Sequence, residues 1–321
     1  MTVVDVQKAG PLSTLQDLGR VGHQHQGVRV CGVMDTFASR VANRLVGNTD
    51  DSAVIEHTLL GDTLKFNTSA TVAITGADAE CRIDGKRQPL WQTLSVDAGA
   101  TLTIGGMAWG VRAYLAIAGG WAVSRILGSA STDLVAGFGG LDGRALLKGD
   151  ALLINQGEGT ETLTIKTLSA NRYREVYCRD QEVVPLRVLM GPDSEHFHSR
   201  FLSALEYLQF QVSSDSNRQG ITVDCKNYEG PIHSDLGPDI ISSFTTFGTI
   251  QVPKHGRPTV LMADRQSTGG FARLAKIIDA DLPVLAQCRP GQLICFVPVS
   301  VAEARAAKAY QGAIIDSLDD E

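Results

Sequence analysis

The chain has 321 residues, 43% of them hydrophobic and 20% charged, with 33 glycines and a formal net charge of −6. That length exceeds the usual single-domain size and predicts two domains. The acidic balance argues against nucleic-acid binding, which needs a basic face, and against attraction to an anionic membrane. No apolar run approaches the roughly 20 residues a membrane-spanning helix needs. The start, Met1-Thr-Val-Val-Asp-Val, reads as a first strand and not as a signal peptide, so a cytoplasmic location is expected. Six cysteines, at 31, 81, 178, 225, 288 and 295, are scattered without a C-x-x-C spacing. Free thiols are expected, and neither zinc nor a dithiol redox pair is supported. His23-x-His25 and His196-x-His198 lack a third ligand nearby in sequence, so no metal site is expected.

After the first strand, Gly10 to Arg20 carries few apolar residues at either period and is expected to be a structured loop. Met34 to Val46 is the clearest helix, because Met34, Phe37, Ala38, Val41, Ala42, Leu45 and Val46 fall on one face. Gly47 stands where a left-handed cap belongs. Arg40, Asn43 and Arg44 lie on the other face, solvated or paired. From about residue 53 to 165 short apolar or alternating runs predict strands: Thr71 to Gly76, Leu94 to Gly105, Arg112 to Gly120 and Thr160 to Lys166. Asp84-Gly85 and Ala98-Gly99 mark turns.

Gly128 to Arg144 is too glycine-rich for a strand and too apolar for a disordered linker. It lacks the Lys-Ser/Thr of a nucleotide loop and fails the dinucleotide fingerprint. It reads as a tight structural loop, with a backbone anion site as the alternative. Residues 167–184 have weak periodicity, which places a domain boundary there. The expected domains are 1–180, 181–300 and a helical, acidic tail at 301–321. In the second domain, Leu186 to Met190 restarts the strand pattern. A helix is expected from Ser194, capped by Ser194 or Asp193, with Phe197, Phe201, Leu205 and Leu208 on one face. More strands follow, then a short helix near Asp281 to Gln287.

Thr259 to Gly270 is the most informative stretch. An apolar run, read as a buried strand, ends in Asp264-Arg265-Gln266-Ser267-Thr268 and a Gly269-Gly270 pair. A strand end holds polar groups more rigidly than a loop, and glycines let a ligand approach backbone N–H groups. The plainer alternative is an Asp264–Arg265 ion pair that closes a turn. Two further knots share its composition, Gln16-Asp17-Leu18-Gly19-Arg20 and Asp215-Ser216-Asn217-Arg218. An arginine fork oriented by a nearby carboxylate suits a small anionic or carbonyl-bearing ligand. Three unrelated surface turns would have the same spacing. A Gly-x-Ser-x-Gly elbow and a Met-Lys biotin attachment site are both absent from the sequence.

Many ordered runs resemble one family over nearly the whole chain. They include Thr14 to Arg20, Met34-Asp35 with Ala42 to Asn48, Val72 to Asp78, Tyr114 to Gly120, Gly137 to Arg144, Asp215 to Arg218, Gly248 to Pro253 and Leu261 to Gly270. The family is that of biotin-dependent carboxyltransferases and allophanate hydrolase subunit 2, also called KipA, whose bacterial members include the C subunit of 5-oxoprolinase. The resemblance implies a mainly β fold with two cyclophilin-like β-barrel domains and a few short helices. It implies a component of an ATP-dependent amide hydrolase that opens 5-oxo-L-proline to L-glutamate. The partners would be a KipI-like protein (allophanate hydrolase subunit 1, or the B subunit of 5-oxoprolinase) and a LamB/YcsF-like protein, the A subunit. ATP would belong to the complex, since this chain has no recognisable nucleotide loop. The alternatives are a carboxyltransferase that uses biotin on a separate carrier to act on urea or another small amide, and a regulatory protein that binds a KipI-like partner.

The candidate catalytic residues are Asp264, Arg265 and Gln266. The candidate substrate-binding residues are Asn217, Arg218, Asp17, Arg20, Thr268, Gly269 and Gly270. The chain departs from the family pattern at Gln219-Gly220-Ile221-Thr222, where Met-Gly-Tyr-Arg is common. It departs again at Ser242-Ser243-Phe244, where Ser-Glu-Gly is frequent, and at Phe247, which stands in place of a usual proline.

Overall fold

The computed structural model describes residues 2–155, 166–177 and 181–318. The expected strand from Thr160 to Lys166 lies almost wholly outside the described residues, and Cys178 lies outside them. The chain forms two compact units: 1–21, 31–173 and 312–321 in one, 22–30 and 174–311 in the other. The sequence suggested contiguous blocks of 1–180, 181–300 and 301–321. Each unit is instead assembled from separate stretches, because packing groups residues by contact and not by order in the chain. Gln24, for example, donates to the Thr245 carbonyl within the second unit, and Lys166 donates to the Leu318 carbonyl within the first.

The first unit carries strands β1 (Thr2–Lys8), β2 (Ser13–Gln16), β3 (Val54–Thr58), β4 (Thr63–Phe66), β5 (Ala70–Gly76), β6 (Ala79–Ile83), β7 (Lys86–Arg87), β8 (Thr93–Val96), β9 (Thr101–Met107), β10 (Arg112–Ile117) and β11 (Ala151–Ile154). They lie in two sheets, ordered β11-β1-β4-β9-β6-β7 and β2-β3-β10-β5-β8. Val4, Val6, Leu64, Phe66 and Leu102 of one sheet share a core with Leu15, Ile55, Val72, Ile74 and Leu115 of the other. The alternation in β9, where Leu102 and Ile104 are buried beside more exposed threonines, is the period-2 signature of a strand with one face in the core. β10 is buried at every position, because helix α1 (Thr36–Leu45) covers its outer face together with that of β5.

Asp35 caps α1 by accepting from the Ala38 N–H at 2.9 Å, and Gly47 takes φ +73° just past its end. Arg40 and Arg44 both bond Asp50. Asn43, expected on the outer face, is buried and donates to the Ser52 carbonyl. The stretch expected to be a loop at Gly10–Arg20 contains β2, all four of whose side chains are buried. Its polar residues find partners that sequence cannot show: the Ser13 hydroxyl, for one, donates to Asp62, 49 residues away.

The second unit carries β12 (Val183–Met190), helix α3 (Ser199–Ala204), β13 (Phe210–Val212), β14 (Gly220–Cys225), β15 (Asp239–Phe244), β16 (Thr249–Gln251), β17 (Thr259–Leu261), β18 (Thr268–Phe271), β19 (Arg273–Ile277), helix α4 (Leu282–Gln287) and β20 (Leu293–Pro298). Helices α2 (Ala170–Val176) and α5 (Val301–Asp316) each contribute residues to both units. Seven strands close a barrel in the order β12-β19-β16-β17-β14-β13-β20, with β20 returning parallel to β12. Leu186, Phe210, Val223, Ile250, Val260, Leu274 and Phe296 are wholly buried along its strands. β15 and β18 form a separate two-stranded ribbon.

The fold is thus mainly β with few helices, as expected, but the two units differ from the implied pair of barrels. The second unit closes; the strands of the first stay in two open sheets. The helix expected from Ser194 is broken into a 3-10 turn at Ser194–His196 and α3, although Phe197, Phe201, Leu205 and Leu208 are all buried. His198 caps α3. Asp193 does not cap, because its carboxylate binds Arg273 through the backbone N–H and two guanidinium nitrogens. That hydrogen bonding holds the Asp193 carboxyl below the usual carboxylate range.

Candidate functional site

In the second unit two of the three polar knots meet. Strand β17 delivers Met262 and Ala263, both fully buried, and then turns. The Asp264 N–H bonds the Arg218 carbonyl at 2.9 Å, and the Met262 N–H bonds the Gln219 carbonyl at 2.9 Å. The antiparallel pairing of β14 with β17, Gly220 opposite Leu261, thereby continues into the turn. The side chains of Arg218 and Asp264 form a two-pronged ion pair with both bonds at 2.8 Å. Both are almost wholly buried, 4% and 3% exposed. Two flat, complementary forks of this kind fix each other's orientation as well as their charge.

The two-pronged partner of Asp264 is thus Arg218, 46 residues away, where the plainer alternative placed Arg265. The Arg265 backbone N–H and one guanidinium nitrogen reach the Met262 carbonyl, which closes the turn. Its guanidinium carbon lies 5.8 Å from the centre of the Phe247 ring, so the residue that stands in place of a usual proline supplies a π face for this cation. Gln266 and Thr268 are exposed, and Gly269 is buried. Thr245, 1% exposed, ties the far side of the turn by donating its hydroxyl to the Gln266 carbonyl and its N–H to the Ser267 carbonyl. Asn217 is exposed, and its Oδ1 accepts from the Gln219 N–H at 2.7 Å, folding the approach to β14 into an Asx turn.

Asp17 and Arg20 belong to the first unit, where they build a different object. The Asp17 carboxylate accepts from the hydroxyls of Ser129 and Ser131 and from the Ala130 N–H, each at 2.6 Å, and from the Gly19 N–H at 2.8 Å. Arg20 is wholly buried. It donates to the carbonyls of Ile126, Ser129 and Ser131, and it stacks on Phe138 at 4.6 Å. Together they hold the glycine-rich loop, which is packed tightly on itself. A β-carbon on Gly139 would stand 2.1 Å from the Ser131 carbonyl oxygen, and one on Gly143 would stand 2.1 Å from the Gly137 carbonyl carbon. A loop packed this closely on itself, its glycines against backbone atoms, leaves no room for a triphosphate.

A cavity of about 480 Å³ in the second unit is lined by Arg187, Asp281, Val297 and Tyr310 among others. It contains none of the sequence-predicted site residues, and its Arg187 is bonded three times to Asp281. Sequence reasoning noted Phe247 only as a departure from the family pattern and did not single out Thr245 or Gln251 near the Asp264 turn. The available signal was a lone glutamine between Ile250 and Val252 in an apolar strand. Among the described residues no group of three or more His, Cys, Asp or Glu is placed to hold a metal ion. Nor is any helix long and apolar enough to cross a membrane.

Comparison with known proteins agrees with this architecture. The chain is 37% identical to the C subunit of 5-oxoprolinase from Escherichia coli over 319 residues, which is 98% of this chain and 97% of that one. It is 33% identical to urea amidolyase of Saccharomyces cerevisiae over 99% of this chain but only 18% of that enzyme. The solved structure of the K. lactis urea amidolyase superposes with a TM-score of 0.87 at 29% identity over 98% of this chain, which spans a fifth of that one. Residues 26–298 match the carboxyltransferase domain, subdomain A and B. The chain belongs to the carboxyltransferase family defined by that domain.

Proposed function

We propose that this chain is the C subunit of an ATP-dependent 5-oxoprolinase, opening 5-oxo-L-proline to L-glutamate with a KipI-like and a LamB/YcsF-like partner. One observation carries the reading: the chain matches the 5-oxoprolinase C subunit end to end, 98% of one against 97% of the other. In the urea amidolyases it would be a fraction of a much longer enzyme. The site chemistry is compatible with a small amide. In this reading Arg265, 6% exposed, offers a cation to a carbonyl or carboxylate from within the turn, the Gln266 amide next in sequence is exposed, and the Arg218–Asp264 pair holds the turn that carries both. ATP is assigned to the complex, because the glycine-rich loop of this chain does not fit a nucleotide. A lactam is a stable amide, and ATP supplies the driving force for opening it.

The test is reconstitution. Purified with its two partners, the protein should release glutamate from 5-oxoproline only when ATP is present. Absence of ATP-dependent glutamate in every combination removes the proposal. The match to the carboxyltransferase domain favours a second reading, carboxyl transfer from a separate biotin carrier to urea or a similar amide. Consumption of carboxybiotin with urea, and none with 5-oxoproline, would establish it instead.

A further inference from the structure

Gln251 is a polar side chain where an apolar one would be the default. It is 3% exposed on β16, between the fully buried Ile250 and Val252. Successive strand residues face opposite ways, so Thr249 and Gln251 share the face opposite Ile250. The ladder is irregular here: Ile250 stands opposite Ala275, but Gln251 stands opposite Arg273. The extra residue, Leu274, lies on β19. The Gln251 amide reaches β18, where Nε2 donates to the Phe271 carbonyl at 3.0 Å.

Gly269 completes the arrangement. A β-carbon there would stand 2.7 Å from Gln251 Nε2, 3.1 Å from Gln251 Oε1 and 2.8 Å from Gln266 Nε2. Two side-chain amides thus close over one α-carbon, and a side chain there would have to displace at least one of them. Gly269 is not among the positive-φ residues, so the requirement is for space. Burying an amide costs free energy unless it is hydrogen-bonded. Gln251 recovers a bond from the strand that follows the Asp264 turn and not from its own ladder.

We infer that Gln251 is a positioning residue for Gln266. It holds β18 in place and so fixes where the Gln266 amide stands when it grips a small amide or lactam. Gln251 does not itself touch the substrate. The inference rests on the reading of Asp264 to Gln266 as the site.

The experiment uses the complex reconstituted with its partners, with 5-oxoproline as substrate. Steady-state kinetics are combined with hydrogen exchange over residues 266–271. Gln251→Leu keeps the volume and removes the amide. It should raise KM roughly 10-fold, the scale of one lost neutral hydrogen bond, and move kcat by less than about 3-fold. Exchange over 266–271 should accelerate. In a Gln266→Ala background Gln251→Leu should add nothing, because the group it positions is gone. Gly269→Ala, which displaces the Gln251 amide but lies at a candidate substrate-binding residue, is read by exchange: acceleration over 266–271 is expected, which preserves the test if Gln251→Leu fails to fold.

Unchanged KM in Gln251→Leu and unchanged exchange in both variants would overturn the inference. So would a full additional KM effect of Gln251→Leu on top of Gln266→Ala. If Gln266→Ala keeps the wild-type KM while Gln251→Leu still accelerates exchange, the site at Gln266 is refuted and the positioning role falls with it, although the clamp exists. That pattern separates failure of the site from failure of the clamp.

Discussion

Asp17 with Arg20 and Asp264 with Arg218 use the same two residue types in opposite ways. In the first unit the acid and the base are bonded to separate partners, and Arg20 keeps one buried guanidinium nitrogen, Nη1, without a hydrogen bond among the described residues. Asp17 takes two hydroxyls and two backbone N–H groups, and Arg20 takes three backbone carbonyls. All these partners but one come from the glycine-rich loop and the residues that lead into it, so the charges organise a length of chain. In the second unit Arg218 and Asp264 satisfy each other through a two-pronged pair. That arrangement pairs two charges within the turn that carries Arg265, itself 6% exposed, and the exposed Gln266. An Asp near an Arg in sequence therefore says little; which atoms answer them decides whether they build a loop or support a site.

The largest expected effect isolates Arg265 from the pair beneath it. Arg265→Lys keeps a cation on an aliphatic stem but loses the planar fork. It should lower the turnover of the reconstituted complex by about 100-fold or more while leaving the thermal midpoint nearly unchanged. Parallel loss of midpoint and activity would place Arg265 with the structural charges. Asp264→Asn should cost about 3–5 kcal/mol in urea unfolding, because it strands a buried guanidinium. A cost below about 1 kcal/mol would mean that water or another group replaces the carboxylate.

Asp17→Asn turns one of its carboxylate oxygens into a donor facing other donors. It should cost about 2–3 kcal/mol and speed proteolysis within residues 126–140. Per molecule still folded, activity should be retained; a loss at full stability would move Asp17 into the site.

The smallest effect concerns the other buried cluster of the first unit. His57 Nδ1 lies 3.1 Å from the Ser13 hydroxyl and 3.4 Å from Asp62, all three side chains fully buried. Burial lowers its pKa below the ordinary 6.5, against the opposing pull of Asp62 and Glu56. As pH falls through 6.5 the unfolded chain takes up a proton at this position that the folded chain refuses. Stability should therefore decline below that pH until the folded group also titrates. Replacing His57 with Gln should flatten the dependence of the urea midpoint between pH 7.5 and 5.5. An unchanged slope would assign the decline to other groups.

Much of the fold is local and therefore legible in sequence. Helix α1 carries its apolar stripe, its Asp35 cap and the left-handed Gly47 within a few residues of one another. The alternation in β9 marks a half-buried strand without reference to any partner. The apolar run into Asp264 ends where its hydrophobic residues end. Near-neighbour sterics and the choice between period 2 and period 3.6 fix such features.

The rest depends on residues far apart in the chain. Asp264 finds Arg218 46 residues away, and Asp17 finds Ser131 114 residues away. The sequence shows that each charge exists and cannot show what neutralises it, since a buried charge is settled by whatever the fold brings within about 3 Å. For the same reason β2 looked like a loop until its polar residues met their distant partners. Gln251 looked ordinary until Gly269 was seen lying against its amide. Sequence determined helix α1, the alternating strands and the family, but not β2 or the break after His196. Tertiary structure alone decided that one sequence-predicted knot closes a loop while two others join into a single turn, because only packing assigns a partner to a buried polar group.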